Sequence, residues 1–230
     1  MLRKQAITTI LFGCFAAASL AAGVGCSRKL PPDEHNNFHP YDVRHAILHY
    51  EYFGDIRGTE DLYEDNFGTH EAHITHSELI TEQGFRPTIT YSVRIGSNLT
   101  VVDSVKQMEV KMIDRTVDSV SHLLPSDVPS PEVEFQKVFG TRGFQQTGDT
   151  TILGLQAHVW THLGTSDYML EWRGLLIGSK DNNGGHDHEL RLLSIDTTTP
   201  IDPARFVPPS GFPVRDLTHI DPGAPMPMSP

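Results

Sequence analysis

Alternation with a period of two runs through this chain and limits what it can fold into. Ile89, Tyr91, Val93 and Ile95 are apolar, while Thr90, Ser92 and Arg94 between them are polar. Met108, Val110 and Met112 interleave in the same way with Glu109 and Lys111. Successive side chains of a strand point to opposite faces, so each run predicts one face on a core and the other in water. Ala46, Leu48, Tyr50 and Tyr52 repeat the pattern, as do Leu155, Ala157 and Val159. Turn signals punctuate the runs at Gly54-Asp55, Asp65-Asn66-Phe67-Gly68, Gly96-Ser97-Asn98 and Asp181-Asn182-Asn183-Gly184-Gly185. The spacing predicts about nine to eleven short antiparallel strands.

Two segments break the alternation. Val117, Val120 and Leu124 fit helical spacing, and Ser130-Pro131-Glu132 opens a second helix with a Ser cap, Pro at the first position and an acid in the first turn. That helix puts Phe135, Val138 and Phe139 on one face and ends at Gly140. The expected fold class is mainly β: a single curved antiparallel sheet, an unclosed half-barrel, with one or two short helices as a lid.

The N-terminus predicts export. Arg3 and Lys4 precede an apolar run from Ala6 to Val24, the order of an n-region and an h-region, so residues 1–25 are expected to be a signal peptide. Gly23-Val24-Gly25-Cys26 resembles the lipobox of bacterial lipoproteins, in which the cysteine is acylated; Gly23 stands where that pattern usually has Leu. Cys14, behind Leu11-Phe12-Gly13, is a competing site. A signal peptidase site after Ala22 or Gly25 and an uncleaved membrane anchor also stay open. Residues 26–41 then form a lipidated cysteine and a Pro/Asn-rich tether, 42–217 the β domain, and 218–230 a proline-rich disordered tail. The expected location is the bacterial cell envelope, as an outer-membrane lipoprotein facing the periplasm.

Cys14 and Cys26 are the chain's two cysteines, so the domain itself contains no disulfide and must be held by its core. Loss of the signal segment removes Arg3 and Lys4 and no acid from 18 basic and 29 acidic residues, moving the formal net charge from −11 to −13. Such a surface repels nucleic acid. The expected partners are the membrane, through the anchor, and an apolar ligand or lipoprotein.

Several phrases occur together: Gly58-Thr59-Glu60 with Leu62 to Gly68; Gly148 to Thr151 with Ile152-Leu153-Gly154 and Val159-Trp160; Trp172-Arg173-Gly174-Leu175-Leu176; and Arg205-Phe206-Val207-Pro208. They resemble a family of uncharacterised bacterial envelope lipoproteins, similar in fold to the LolA-like periplasmic lipoprotein carriers and outer-membrane lipoprotein-sorting proteins. The resemblance spans roughly Ala46 to Gly211 and carries no catalytic residue. It implies an unclosed β-barrel whose concave apolar face, lidded by helices, holds an acyl chain. Carriers of that kind are soluble, whereas an anchored chain suits a stationary binding module.

The remaining constellations are weak. Thirteen histidines include His70, His73 and His76, but residues three apart on a strand face opposite ways, and His70 and His76 stand about 20 Å apart. His186 and His188 share a face beside Asp187 and Glu189 and would supply two ligands, where zinc takes three or four. His158, Trp160 and His162 share the face of their strand opposite Ala157 and Val159. No Gly-x-Ser-x-Gly or phosphate-cradling glycine motif occurs, and no cofactor is called for.

The function expected is non-catalytic: binding of an apolar ligand, an acyl chain or lipoprotein, on the sheet. Tyr91, Val93, Ile95, Met108, Val110 and Met112 are the expected lining, joined by Ile89, with Phe135, Val138 and Phe139 as lid. A structural or protein-interaction module is the first alternative, and a metal-binding protein using His186 and His188 the second.

Overall fold

A computed structural model describes residues 39–81, 84–121, 131–182 and 187–219. The expected signal peptide, Cys26, most of the tether, Leu124, the Ser130 cap, His186 and the end of the tail lie outside these residues. No described helix is long and apolar enough to cross a membrane.

Among the described residues, twelve strands form one sheet. In chain order they are β1 (His45–Gly54), β2 (Ile56–Asp65), β3 (His70–Thr81), β4 (Gly84–Ile95), β5 (Asn98–Asp103), β6 (Met108–Ile113), β7 (Phe144–Ile152), β8 (Leu155–His162), β9 (Tyr168–Trp172), β10 (Leu175–Asp181), β11 (His188–Asp196) and β12 (Val214–Asp216). Across the sheet the order is β12-β6-β5-β4-β3-β2-β1-β11-β10-β9-β8-β7, antiparallel throughout except that β12 runs parallel to β6. The sheet does not close: β7 and β12 are its edges. The expected mainly β, unclosed antiparallel sheet with two short helices is therefore what the chain forms. Helices α1 (Arg115–Ser121) and α2 (Pro131–Gly140) lie on the connection from β6, beside one edge, to β7, the other.

The turn chemistry accounts for the hairpins. Leu153-Gly154 and Arg173-Gly174 both hold positive φ at two successive residues (51° and 83°; 50° and 88°), as a two-residue turn matched to strand twist requires. These pairs belong to the phrases that carry the resemblance, and here they serve as turns. Gly58 answers a different demand. Its φ is 150° and an added Cβ would fall 2.0 Å from the His76 carbonyl oxygen, so only glycine lets β2 approach β3 there.

Three cores form among the described residues. The largest joins Ala46, Leu48 and Tyr50 of β1 to Leu62, Ala157, Leu175, Ile177 and Leu192, with Tyr41 and Val43 from the segment preceding β1. A second packs Ile201 and Phe206, around the 3-10 turn Pro203–Phe206, onto Tyr63, Ala72 and Val93. A third sets Phe135 and Phe139 of α2 against Trp160 and Met169.

The middle of the sheet is thus covered on both sides, which corrects the simple inside/outside expectation. Ser92 and Arg94, expected in water, are buried, Arg94 being 4% exposed, while Ile95, expected inside, is 46% exposed. Glu109 is buried too, with its backbone N–H donating to the Pro213 carbonyl next to β12. Alternation marks which residues share a face, but it cannot say that only one face is covered.

Candidate functional site

The register separates the residues expected to line one ligand face. Tyr91 stands opposite Val102 and Val102 opposite Glu109, while Val93 runs through Thr100 to Lys111 and Ile95 through Asn98 to Ile113. Met108, Val110 and Met112 align instead with Asp103, Val101 and Leu99, and through them with Thr90, Ser92 and Arg94. The β4 and β6 residues therefore occupy opposite faces, because the two turns between them set a pairing that shifts the phase by one residue. They do not form one surface. Val93 is part of the core under Phe206, and Tyr91, Met108, Val110 and Met112 are half-buried.

The expected lid is also a core element. Phe135 and Phe139 are 1% and 2% exposed. Their ring centroids lie 4.2 Å apart, and Phe135 stands 4.8 Å from the Trp160 ring, with Val138 half-buried beside them. Trp160 pairs with Met169, so both present the same face, and α2 closes that face.

The opposite face of the same strands carries an apolar trough. Every second residue contributes: Thr150 and Ile152 of β7, Val159 and Thr161 of β8, Tyr168 and Leu170 of β9. Thr165, Ser166 and Asp167 form its polar end, and its volume is about 400 Å³. A second hollow of about 220 Å³ shares Ile152, Tyr168 and Leu170 and continues over Ile177, Leu190 and Leu192 of β10 and β11, with Glu189 and Arg191 at its rim. Gly178 lies in its floor, where a Cβ would press to 3.1 Å from Leu170 Cδ1. The trough is shallow and open to solvent, its larger hollow reaches the lower end of small-molecule site volumes, and a lining that mixes apolar side chains with hydroxyls suits an amphiphile. Of the alternating Leu155, Ala157 and Val159, Val159 alone lines it, while Ala157 and Leu155 belong to the main core, so the alternation marks the face and not the trough. What the sequence does not display is how the consecutive hairpins β7 to β11 align their alternate residues into one trough.

Sequence reasoning missed a second constellation, on the β2-β3-β4 part of the sheet. Glu60 pairs across to Thr75, Leu62 to His73 and Glu64 to Glu71, and Glu71 in turn to Arg94, so these side chains share one face. His73 bridges two carboxylates, Nδ1 at 2.8 Å from Glu60 and Nε2 at 3.0 Å from Glu71. Arg94 donates to Glu71 at 2.9 Å and stands 3.8 Å from Asp114. The Tyr41 and Tyr52 hydroxyls donate to Glu71 and Glu60, and Thr75 adds a 3.0 Å bond to Glu60.

Burial alone would raise both acids, yet the opposing charges and hydrogen bonds win. Arg94 and His73 hold Glu71 down at about 2, and His73 holds Glu60 below its usual range. His73, although burial opposes its charge, is raised well above the ordinary histidine value by its two glutamate partners. This network ties strands together and lines neither hollow, both of which lie elsewhere in the sheet. Among the described residues no group of three or more His, Cys, Asp or Glu side chains is arranged to hold a metal. His188 begins β11 opposite Gly54, and His186 lies outside the described residues.

Fold and site together define an open-sheet β protein with a lateral apolar trough. No family model matches the chain, and no curated protein matches it. Among solved structures it is similar to an uncharacterized conserved protein from Thermus thermophilus, at 8% identity and TM-score 0.45 over 76% of this chain and 91% of that one. It is also similar to MucB, at 12% identity and TM-score 0.40 over 74% of this chain and 59% of that one. PNGF-II matches at 11% identity and TM-score 0.40 over 76% of this chain and 32% of its own. At these TM-scores the likenesses carry no argument about function.

Proposed function

We propose that this chain is a non-catalytic protein of the bacterial envelope, lipid-anchored at Cys26, that holds an apolar ligand such as an acyl chain or a lipid on its open sheet. The observation that supports the reading is the trough across β7 to β11, in which Ile152, Val159, Leu170, Ile177, Leu190 and Leu192 supply an apolar floor between polar ends. The export signal and the lipobox-like Gly23 to Cys26 are consistent with an envelope setting, where acyl ligands abound. The resemblance to LolA-like carriers points the same way, although the ligand surface differs from the one the resemblance implies. The interaction-module alternative draws on β7, an edge strand of nine residues with Gln145 to Asp149 exposed.

Solvent extraction of protein purified from its native envelope, followed by mass spectrometry, is expected to release an acyl-bearing molecule. A fluorescent fatty acid should bind, and Leu170→Asp, at the junction of the two hollows, should weaken it at least tenfold. Binding unaffected by Leu170→Asp, with no lipid in the extract, would refute the reading.

A further inference from the structure

The largest concentration of buried charge among the described residues lies away from the trough, and the proposed binding role leaves it unused. Within it, Glu64 is 0% exposed, and neither carboxyl oxygen has a hydrogen-bond partner among the described residues. Its surroundings are hostile to a second charge. Glu71 faces it from β3, Asp65 is its neighbour on β2, Arg94 stands beyond Glu71 on β4, Tyr41 approaches from the segment before β1, and the paired β1 residue is the uncharged Ala46. The nearby cations face other carboxylates: His73 lies between Glu60 and Glu71, while Arg94 donates through Nη2 to Glu71 and stands 3.8 Å from Asp114, its Nε and Nη1 making no hydrogen bond among the described residues. Burial first, and then the charge of Glu71, push the Glu64 carboxyl up to about 9, an effect the nearby Gly68 backbone N–H offsets only in part. Glu64 is therefore neutral at ordinary pH.

The segment that closes this end of the sheet bonds to the same network. Tyr41 donates its hydroxyl to Glu71 and its backbone N–H to the Phe67 carbonyl, and Asp42 N–H donates to the Arg173 carbonyl at 3.1 Å. The Tyr41 ring occupies the space beside Gly68, where an added Cβ would stand 2.5 Å from it. Residues 40–43 thus staple the β2-β3 turn to the β9-β10 turn.

We propose that residues 40–43 are a proton-dependent latch, held shut against the Glu64–Glu71 pair while Glu64 is protonated and released when Glu64 ionises. The ionised carboxylate needs water, and Tyr41, near enough to feel the Glu64 charge and packed beside Gly68, is the neighbour from outside the sheet whose displacement would admit it. The sign follows from the raised value. Closure is fully favoured below the solvent-exposed value near 4.5 and is lost progressively as pH rises towards about 9. Because the latch directly precedes β1, release would lengthen the tether and uncover the ionised Glu71.

Amide hydrogen exchange on the full chain tests this, with rates corrected for intrinsic exchange. If opening releases one proton, protection of the Tyr41 and Asp42 amides should fall about tenfold per pH unit between pH 6 and 9. The Val93 amide, in the middle of β4, should keep its protection. Glu64→Gln, nearly isosteric and unable to ionise, should flatten the pH dependence at residues 41–42. Carbon NMR of the glutamate carboxyls should place Glu64 far above the others. Equal pH dependence in wild type and variant, parallel loss at Val93, or a Glu64 that titrates near 4.5 would each overturn the latch.

Discussion

Phe135→Ala decides whether α2 is a core element or a lid. The side chain is 1% exposed and lies against Trp160 and Phe139, so truncation removes a buried ring and leaves a cavity behind a helix of ten residues. Such truncations cost about 3 to 5 kcal/mol. For a domain of this size each kcal/mol lowers Tm by about 2 to 4 °C, which makes the expected drop about 6 to 20 °C. Phe139→Ala should behave alike. The pair should cost less than the sum, since rings whose centroids stand 4.2 Å apart lose the same contact twice. Thermal melting gives the stability, and the affinity of a fluorescent fatty acid at a temperature where the variant is fully folded gives the site. Affinity should stay within about twofold of wild type, because Phe135 covers the Trp160 face of β8 and the trough lies on the Val159 face. A tenfold loss of probe affinity with an unchanged Tm would refute this reasoning and restore α2 as a lid over the ligand.

Arg94→Met leaves Glu71 buried beside Glu64 with His73 as its remaining cationic partner, and should cost about 3 to 5 kcal/mol in denaturant unfolding. The lowered Glu71 value contributes stability present above about pH 4.5 and lost as pH falls through about 2, so the variant should also begin to unfold at a higher pH on acidification. Cys26→Ser should move the protein from the membrane fraction to the soluble one or stall its maturation, read by fractionation and intact mass; a variant still sedimenting with membranes would remove the lipid anchor from the proposal.

The particulars of this chain separate what is local from what is not. Strand existence was legible because alternation and turn signals such as Gly54-Asp55 and Gly96-Ser97-Asn98 are encoded within a few residues, whereas the Leu153-Gly154 and Arg173-Gly174 hairpins came from the structure. The α2 boundary was legible for the same reason, with Pro131 at its start and Gly140 at its end. The expected export segment and its lipobox-like cysteine rest on residue order alone, and the structure does not describe them.

Which face of each strand meets which partner was decided only in three dimensions. Ser92 and Arg94 look solvent-directed until Glu71 is brought across from β3, and Glu64 looks like a surface acid until Tyr41 closes over its neighbour. The trough lies on the consecutive hairpins β7 to β11, and the pairing of β11 with the distant β1 is what joins that meander to the rest of the sheet. Local sequence determines a strand's phase, since that phase depends on successive residues alone. Burial depends on what long-range pairing stacks against each phase, and that is a property of the whole fold.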